Sequence, residues 1–130
     1  MDVEVVSPER ILYSGEATMV VCRTTDGEIA FLNNHAPLIG LLGIGPVRVY
    51  EGDRLVERVA VHGGFVEVSN NKVTILSDVA ELADQIDARR AEEAKARAEA
   101  DLARLPADEQ ADAQAALRRA EVRLELTRAA

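Results

Sequence analysis

Residues Glu81 to Arg97 read ELADQIDARRAEEAKAR, and this stretch divides the chain. Before it, apolar residues alternate or gather in short β-branched runs broken by glycine. After it no glycine occurs, and alanine, arginine and glutamate dominate to Ala130. The apolar period changes here from about 2 to about 3.6 residues, the signature of strands giving way to helix. The stretch also carries a dense run of ionisable side chains, from Glu81, Asp84 and Asp87 through Arg89, Arg90, Glu92, Glu93 and Lys95 to Arg97. A sheet domain over residues 1–83 and a helical element over 84–130 are therefore expected, with a switch sought at their junction.

On the N-terminal side, strands are expected at Val3–Val6, Ile11–Tyr13, Glu16–Thr25, Glu28–Leu32, Leu38–Leu42, Val47–Tyr50, Leu55–His62, Phe65–Val68 and Val73–Leu76. Turns are read at Ser7-Pro8, Ser14-Gly15, Asp26-Gly27, Glu51–Arg54, Gly63-Gly64 and Asn70-Asn71, and a loop at Asn33–Pro37. Strands this short with turns this close predict an antiparallel sandwich or a flattened barrel. No helix of crossover length lies among them, which argues against a parallel sheet.

On the C-terminal side, Asp84 or Asp87 is placed to cap a helix running to about Arg104, which Leu105-Pro106 ends. Asp108 is placed to cap a second helix running to about Thr127. So short a break predicts an antiparallel hairpin. Its seam is read as Ile86, Ala91, Ala94, Ala98, Leu102 and Leu105 facing Leu117, Ala120 and Leu124. Alanine lets helices approach closely but buries little area, so the hairpin is expected to be the part that can detach.

Composition narrows the function. The 130 residues are 48% hydrophobic but 3% aromatic, which predicts an aliphatic core. A net charge of −8 argues against nucleic acid as a partner. Cys22 is the only cysteine, so neither an internal disulfide nor a zinc cluster is available, and its apolar neighbours make it a small core residue. No apolar run reaches the ~20 residues of a membrane span, and the acidic N-terminus is unlike a leader, so no direct membrane insertion is expected. Catalysis by this chain alone is not expected either. His35 and His62 are the only histidines, no serine sits in a G-x-S-x-G elbow, and neither Lys72 nor Lys95 follows a glycine loop. The run Gly40–Gly45 leads into Pro46 and a strand rather than opening a helix, unlike a phosphate loop.

Four pieces then carry a resemblance: VVSPERILYSGEA (Val5–Ala17), GEIAFLNNHAPLIGLLGIGPV (Gly27–Val47), VHGGFVEVSNNKVTILSDVAE (Val61–Glu81) and IDARRAEEAKAR (Ile86–Arg97). The chain resembles the epsilon subunit family of the F-type ATP synthase, the counterpart of the mitochondrial delta subunit. It departs from the common pattern at Ala30, where glycine is usual, and at Asn33, where proline is usual. The resemblance implies an α+β fold, with a sandwich of about ten strands followed by a two-helix hairpin. It implies a non-catalytic central-stalk subunit at the foot of the gamma subunit, on the c-ring, peripheral to the cytoplasmic face of a bacterial plasma membrane. The loop carrying Glu28 and His35, Gly27 to Leu38, matches the region that faces the c-ring. The hairpin either folds down or extends along gamma to the alpha/beta catalytic head, where it blocks ATP hydrolysis.

Some members of that family bind ATP through I/L-D-x-x-R-A, matched here by Ile86, Asp87, Arg90 and Ala91, with Glu81, Arg97, Arg119 and Arg123 at the accompanying spacings. ATP is thus implied as a regulatory ligand, with no cofactor required and no metal site. Physical reasoning runs beside this. Arg90 and Arg97 stand two turns apart on one helical face, about 10.5 Å along the axis. A fold about Pro106 would bring position 90 opposite 123 and 94 opposite 119. The converging guanidinium groups would repel unless anions lay between them, and a triphosphate supplies matching charge and bidentate acceptors. The plainer reading is that Glu93, Glu99, Glu121 and Glu125 neutralise these arginines as surface pairs worth about 0–1 kcal/mol each. Two rival functions are a free-standing nucleotide-sensing module, which would bind ATP without affinity for gamma, and a scaffold whose hairpin grips clients through an exposed apolar stripe.

Overall fold

Period-two alternation sets the sandwich. In β1 (Asp2–Val6) Val3 and Val5 are fully buried while Asp2 is exposed. The computed structural model describes residues 1–128; the last two residues of the expected hairpin, Ala129 and Ala130, lie outside the described residues. After β1 come β2 (Ile11–Glu16), β3 (Met19–Thr24), β4 (Gly27–Leu32), β5 (Leu38–Glu51), β6 (Arg54–Ser69), β7 (Lys72–Leu76) and β8 (Ala80–Leu82). Their order is β2-β1-β7-β6-β5-β3-β4, with β8 on β6. The enclosed core is aliphatic around Phe31 and includes Val20, Val47, Val49, Val66, Val68 and Ile75. Cys22 is part of it, and burial, with Glu28 nearby, pushes its thiol up to about 12.

Several local expectations are corrected. Ser14-Gly15 is no turn, because β2 runs through it with Gly15 opposite Val3. The missing side chain makes room for Tyr13, whose hydroxyl would lie 2.7 Å from a Cβ at Gly15. The chain reverses instead at Ala17-Thr18.

The strands expected at 38–42 and 47–50 are one strand, β5, and those at 55–62 and 65–68 are one strand, β6. With β8 added, the sandwich has eight strands rather than about ten. The glycines crease these strands instead of ending them. Gly63 and Gly64 hold φ of 90° and 120°, and a Cβ at Gly64 would meet Leu76 O at 2.1 Å. Across this crease the buried set changes from Val59 and Val61 to Val66 and Val68, an odd-to-even change of inward face.

One pair is parallel: β1 lies against β7, from Asp2 opposite Lys72 to Val6 opposite Leu76. These strands come from distant parts of the chain, so no tight hairpin forces them to oppose each other. The remaining pairs are antiparallel.

Asp87 caps α1 (Ala88–Arg104) by accepting from Arg90 N at 3.1 Å, and Leu105 N closes the last turn on Asp101 O at 2.9 Å. Asp108 caps no helix; it lies in a 3-10 turn, Ala107–Glu109, and α2 (Ala111–Arg128) begins later. Gln110 takes up the linking role, its amide donating to Leu102 O and Leu105 O and satisfying carbonyls at the end of α1.

Ala91 and Ala98 on α1, with Ala113 and Ala120 on α2, are buried along the hairpin. A second face of α2 was not expected to be apolar. Val122 and Leu126 pack on Ala60, with Ile44, Ala83 and Ile86 around them. Ile86 precedes the cap and so lies in this cluster rather than on the helix seam. The hairpin is folded down on the sandwich, with Arg48 bound to Glu125 at 2.8 Å and Arg58 Nη1 donating to Leu126 O at 2.9 Å.

Candidate functional site

Strand β8 pairs with β6 so that Glu81 stands opposite Ala60. On β6 the same period puts Arg58, Ala60 and His62 on the outer face, the one α2 covers. Arg58 holds the Leu126 carbonyl and Ala60 receives Val122 and Leu126. Glu81 accepts a hydrogen bond from Arg123 Nε, tying the sandwich to α2.

Above this tie lies a cavity of about 400 Å³ lined by Glu81, Gln85, Asp87, Arg90, Ala91, Glu93, Ala94, Arg97 and Arg123. Its walls come from β8, the 3-10 turn at Ala83–Gln85, α1 and α2. Six of the residues singled out by sequence therefore meet there: Glu81, Asp87, Arg90, Ala91, Arg97 and Arg123. Ile86 and Arg119 do not. Ile86 is in the apolar cluster beneath, and half-buried Arg119 acts electrostatically on His62. Three guanidinium groups converge, not four. Gln85, Glu93 and Ala94 also line the cavity. Ala94 follows Arg90 by four residues and was legible as a same-face neighbour.

The cavity lining carries three arginines, Arg90, Arg97 and Arg123, and three carboxylates, Glu81, Asp87 and Glu93. The first turn of α1 carries no acidic side chain, while Arg89 and Arg90 lie at the end where the helix dipole is already positive. Arg89 is engaged by Glu93 at 3.3 Å. Among the described residues Arg90 and Arg97 have no ion-pair partner and are exposed. Glu125 pairs with Arg48 of the sandwich, not with a hairpin arginine. Asp87 serves locally as the helix cap, so the motif carboxylate also has a structural role.

His62 lies directly beneath. Its side chain is 2% exposed, its Nε2 is 3.7 Å from Glu81 Oε1, and neither ring nitrogen has a hydrogen-bond partner. Burial, with Arg123 beside it, lowers the imidazole to about 4. Nothing along the sequence marks His62 as part of a site; its partners are brought to it by the fold.

Glu28 and His35 do not share a loop. Glu28 is on β4 opposite Arg23, next to the β3–β4 turn, whereas His35 follows the far end of that strand. At about 3.3 Å per residue, more than about 13 Å of strand separates them. His35 packs edge-on against Phe31 at 5.0 Å between ring centres, with its Nδ1 2.7 Å from Ala36 O.

Comparison with known proteins decides the family. The model of the ATP synthase delta/epsilon chain β-sandwich domain matches residues 1–83, and that of the delta/epsilon chain long α-helix domain matches 84–128. The chain belongs to the ATP synthase delta/epsilon family. An ATP synthase epsilon chain of Symbiobacterium thermophilum is 50% identical over 95% of this chain and 90% of its own length. Another, from Streptomyces griseus, is 47% identical over 95% of this chain and 92% of its own. Among solved structures, a chain of the Euglena gracilis mitochondrial ATP synthase, in an OSCP/F1/c-ring assembly, superposes with a TM-score of 0.78. It is 23% identical, covering 92% of this chain and 76% of the other. A chain of the Tetrahymena thermophila mitochondrial central stalk and c-ring gives a TM-score of 0.58 at 12% identity, over 96% and 91% of the two chains.

This delta/epsilon chain is thus an epsilon-type subunit of the F-type ATP synthase and not its catalytic unit. Among the described residues no helix is long and apolar enough to cross a membrane. No group of three or more His, Cys, Asp and Glu among them is placed to hold a metal ion.

Proposed function

We propose that this chain couples the gamma subunit to the c-ring in the central stalk, at the cytoplasmic face of a bacterial membrane, and regulates ATP hydrolysis through its hairpin. In the extended form the hairpin reaches the catalytic head and blocks hydrolysis; folded down, it permits it. ATP selects the folded form by binding in the cavity between β8, α1 and α2. The carrying observation is the convergence of Arg90, Arg97 and Arg123 on one cavity at the N-terminal end of α1. Those walls come from β8 and the 3-10 turn after it together with α1 and α2, so the site is complete only while the hairpin is down. A ligand that binds one of two states shifts the population toward it.

An exposed apolar row supports the stalk role. Leu41, Phe65, Leu76, Val6 and Ile11 stand opposite one another in turn across five strands, and all but the half-buried Val6 are exposed. Contiguous apolar surface of this kind marks a protein contact. The test of the nucleotide arm is calorimetric titration of the chain with ATP, repeated on Arg90→Ala. Saturable binding that the substitution weakens at least tenfold is expected. Absence of saturable binding in the unsubstituted chain would overturn the ATP arm and leave hairpin control to gamma or the head.

A further inference from the structure

The Glu81–Arg123 pair rests on an unusual floor. His62 sits under it, almost wholly buried, with both ring nitrogens unbonded. A buried neutral imidazole normally finds at least one partner for its N–H, and leaving it without one costs free energy. Glu81 Oε1 lies 3.7 Å from Nε2, beyond hydrogen-bond range, and receives Arg123 Nε.

The charged groups around the ring come from several elements. β8 contributes Glu81, α2 contributes Arg123 and Arg119, and the β7–β8 connection contributes Asp78 beside the cavity under Phe65. On α1, Arg90 and Arg97 line the adjoining cavity. A proton added to His62 in this arrangement would be opposed by two guanidinium groups of α2, Arg123 and Arg119, and favoured by one carboxylate, Glu81, which it would share with Arg123.

From this geometry we infer that His62 is a proton-sensitive trigger beneath the hairpin: its protonation weakens the docking of α2 and releases the hairpin as pH falls. Lifting α2 carries Arg119 and Arg123 away, uncovers an outer-face position of β6, and frees Glu81 to pair with the imidazolium. The released state therefore binds the proton more readily than the docked state.

The sign follows from linkage. The imidazole is lowered from 6.5 to about 4 when the hairpin is down, by burial first and then by Arg123, with Arg119 adding to the effect and Glu81 opposing it. The contribution to docking is present above about pH 6.5 and is lost as pH falls toward 4. If the released imidazole returns to 6.5, the opening equilibrium rises about eightfold between pH 7.0 and 5.5. The inference rests on the hairpin being the mobile element of the proposed function, but not on nucleotide. Acidification would move the subunit toward the form assigned there as inhibitory.

The test is native-state hydrogen exchange of the α2 amides in the full chain without nucleotide, at pH 5.5 and 7.0, corrected for intrinsic exchange. His62→Leu serves as the non-titrating variant. The expected result is about eightfold more opening at pH 5.5 in the unsubstituted chain and a flat ratio in His62→Leu. Equal pH dependence in both chains would overturn the trigger while leaving a mobile hairpin. Exchange of α2 only through global unfolding would overturn both the trigger and the mobile-hairpin reading. Should His62→Leu fail to fold, NMR titration of the His62 ring in the unsubstituted chain decides. A midpoint near 6.5 with α2 still protected refutes the inference; a midpoint displaced well below it, with α2 losing protection as the ring titrates, supports it.

Discussion

A methyl group at Gly64 would lie 2.1 Å from the Leu76 carbonyl oxygen, at a φ of 120° that side chains rarely adopt. Gly64→Ala is therefore expected to destabilise the chain by roughly 2–4 kcal/mol, seen as a lower urea midpoint, through clash and backbone strain together. Gly52, in the open β5–β6 turn with nothing within 4 Å of a Cβ, should cost less when changed to alanine, mainly through its φ of 63°. Two roles can also coincide in one residue. Asp87 falls in the proposed nucleotide motif and is the cap of α1, so spacing alone could not separate binding from folding. Arg90, Arg97 and Arg123 were singled out by the family resemblance, and helical periodicity added only that Arg90 and Arg97 share one face of α1. His62 was not legible. Its partners are 19 and 61 residues away, and only the pairing of β8 with β6 and the descent of α2 bring them to it.

Helix α2 works through two faces, and sequence showed one. Ala113 and Ala120 lie against α1, as a seam of small residues predicts, while Val122 and Leu126 reach the sheet. A helix apolar on two sides reads from its sequence as weakly patterned, so its second partner cannot be inferred from periodicity. Leu126 is 1% exposed at the centre of the docking contact. Leu126→Ala is expected to cost roughly 2–4 kcal/mol, appearing as faster exchange of α2 amides with protection in β5 and β6 retained. Equal loss in both regions would mean that the hairpin and sandwich unfold as one unit.

Across the whole molecule, two apolar clusters divide the work. The larger is built from residues of the sandwich alone, whereas the smaller joins Ala60 and Ile44 to Val122 and Leu126. A chain ending at residue 86 should accordingly keep a cooperative unfolding transition and a β-type circular dichroism spectrum, with a lower melting temperature. It should bind no ATP, because α1 and α2 supply most of the cavity wall. A non-cooperative transition would show that the sandwich depends on its hairpin.

The sequence by itself determined the change of period near Glu81, the aliphatic sandwich, the cap of α1 and the two-helix hairpin. Each depends on local spacing, chain stiffness or hydrophobic period, and these act within a few residues. Tertiary structure alone decided that glycines crease two long strands rather than end four short ones, and that β1 runs parallel to β7. It also decided that α2 lies down on Ala60 and that His62 ends beneath Glu81 and Arg123. These features depend on which distant surfaces share a core. That choice is made by the summed burial of the whole chain and leaves no periodic trace along it.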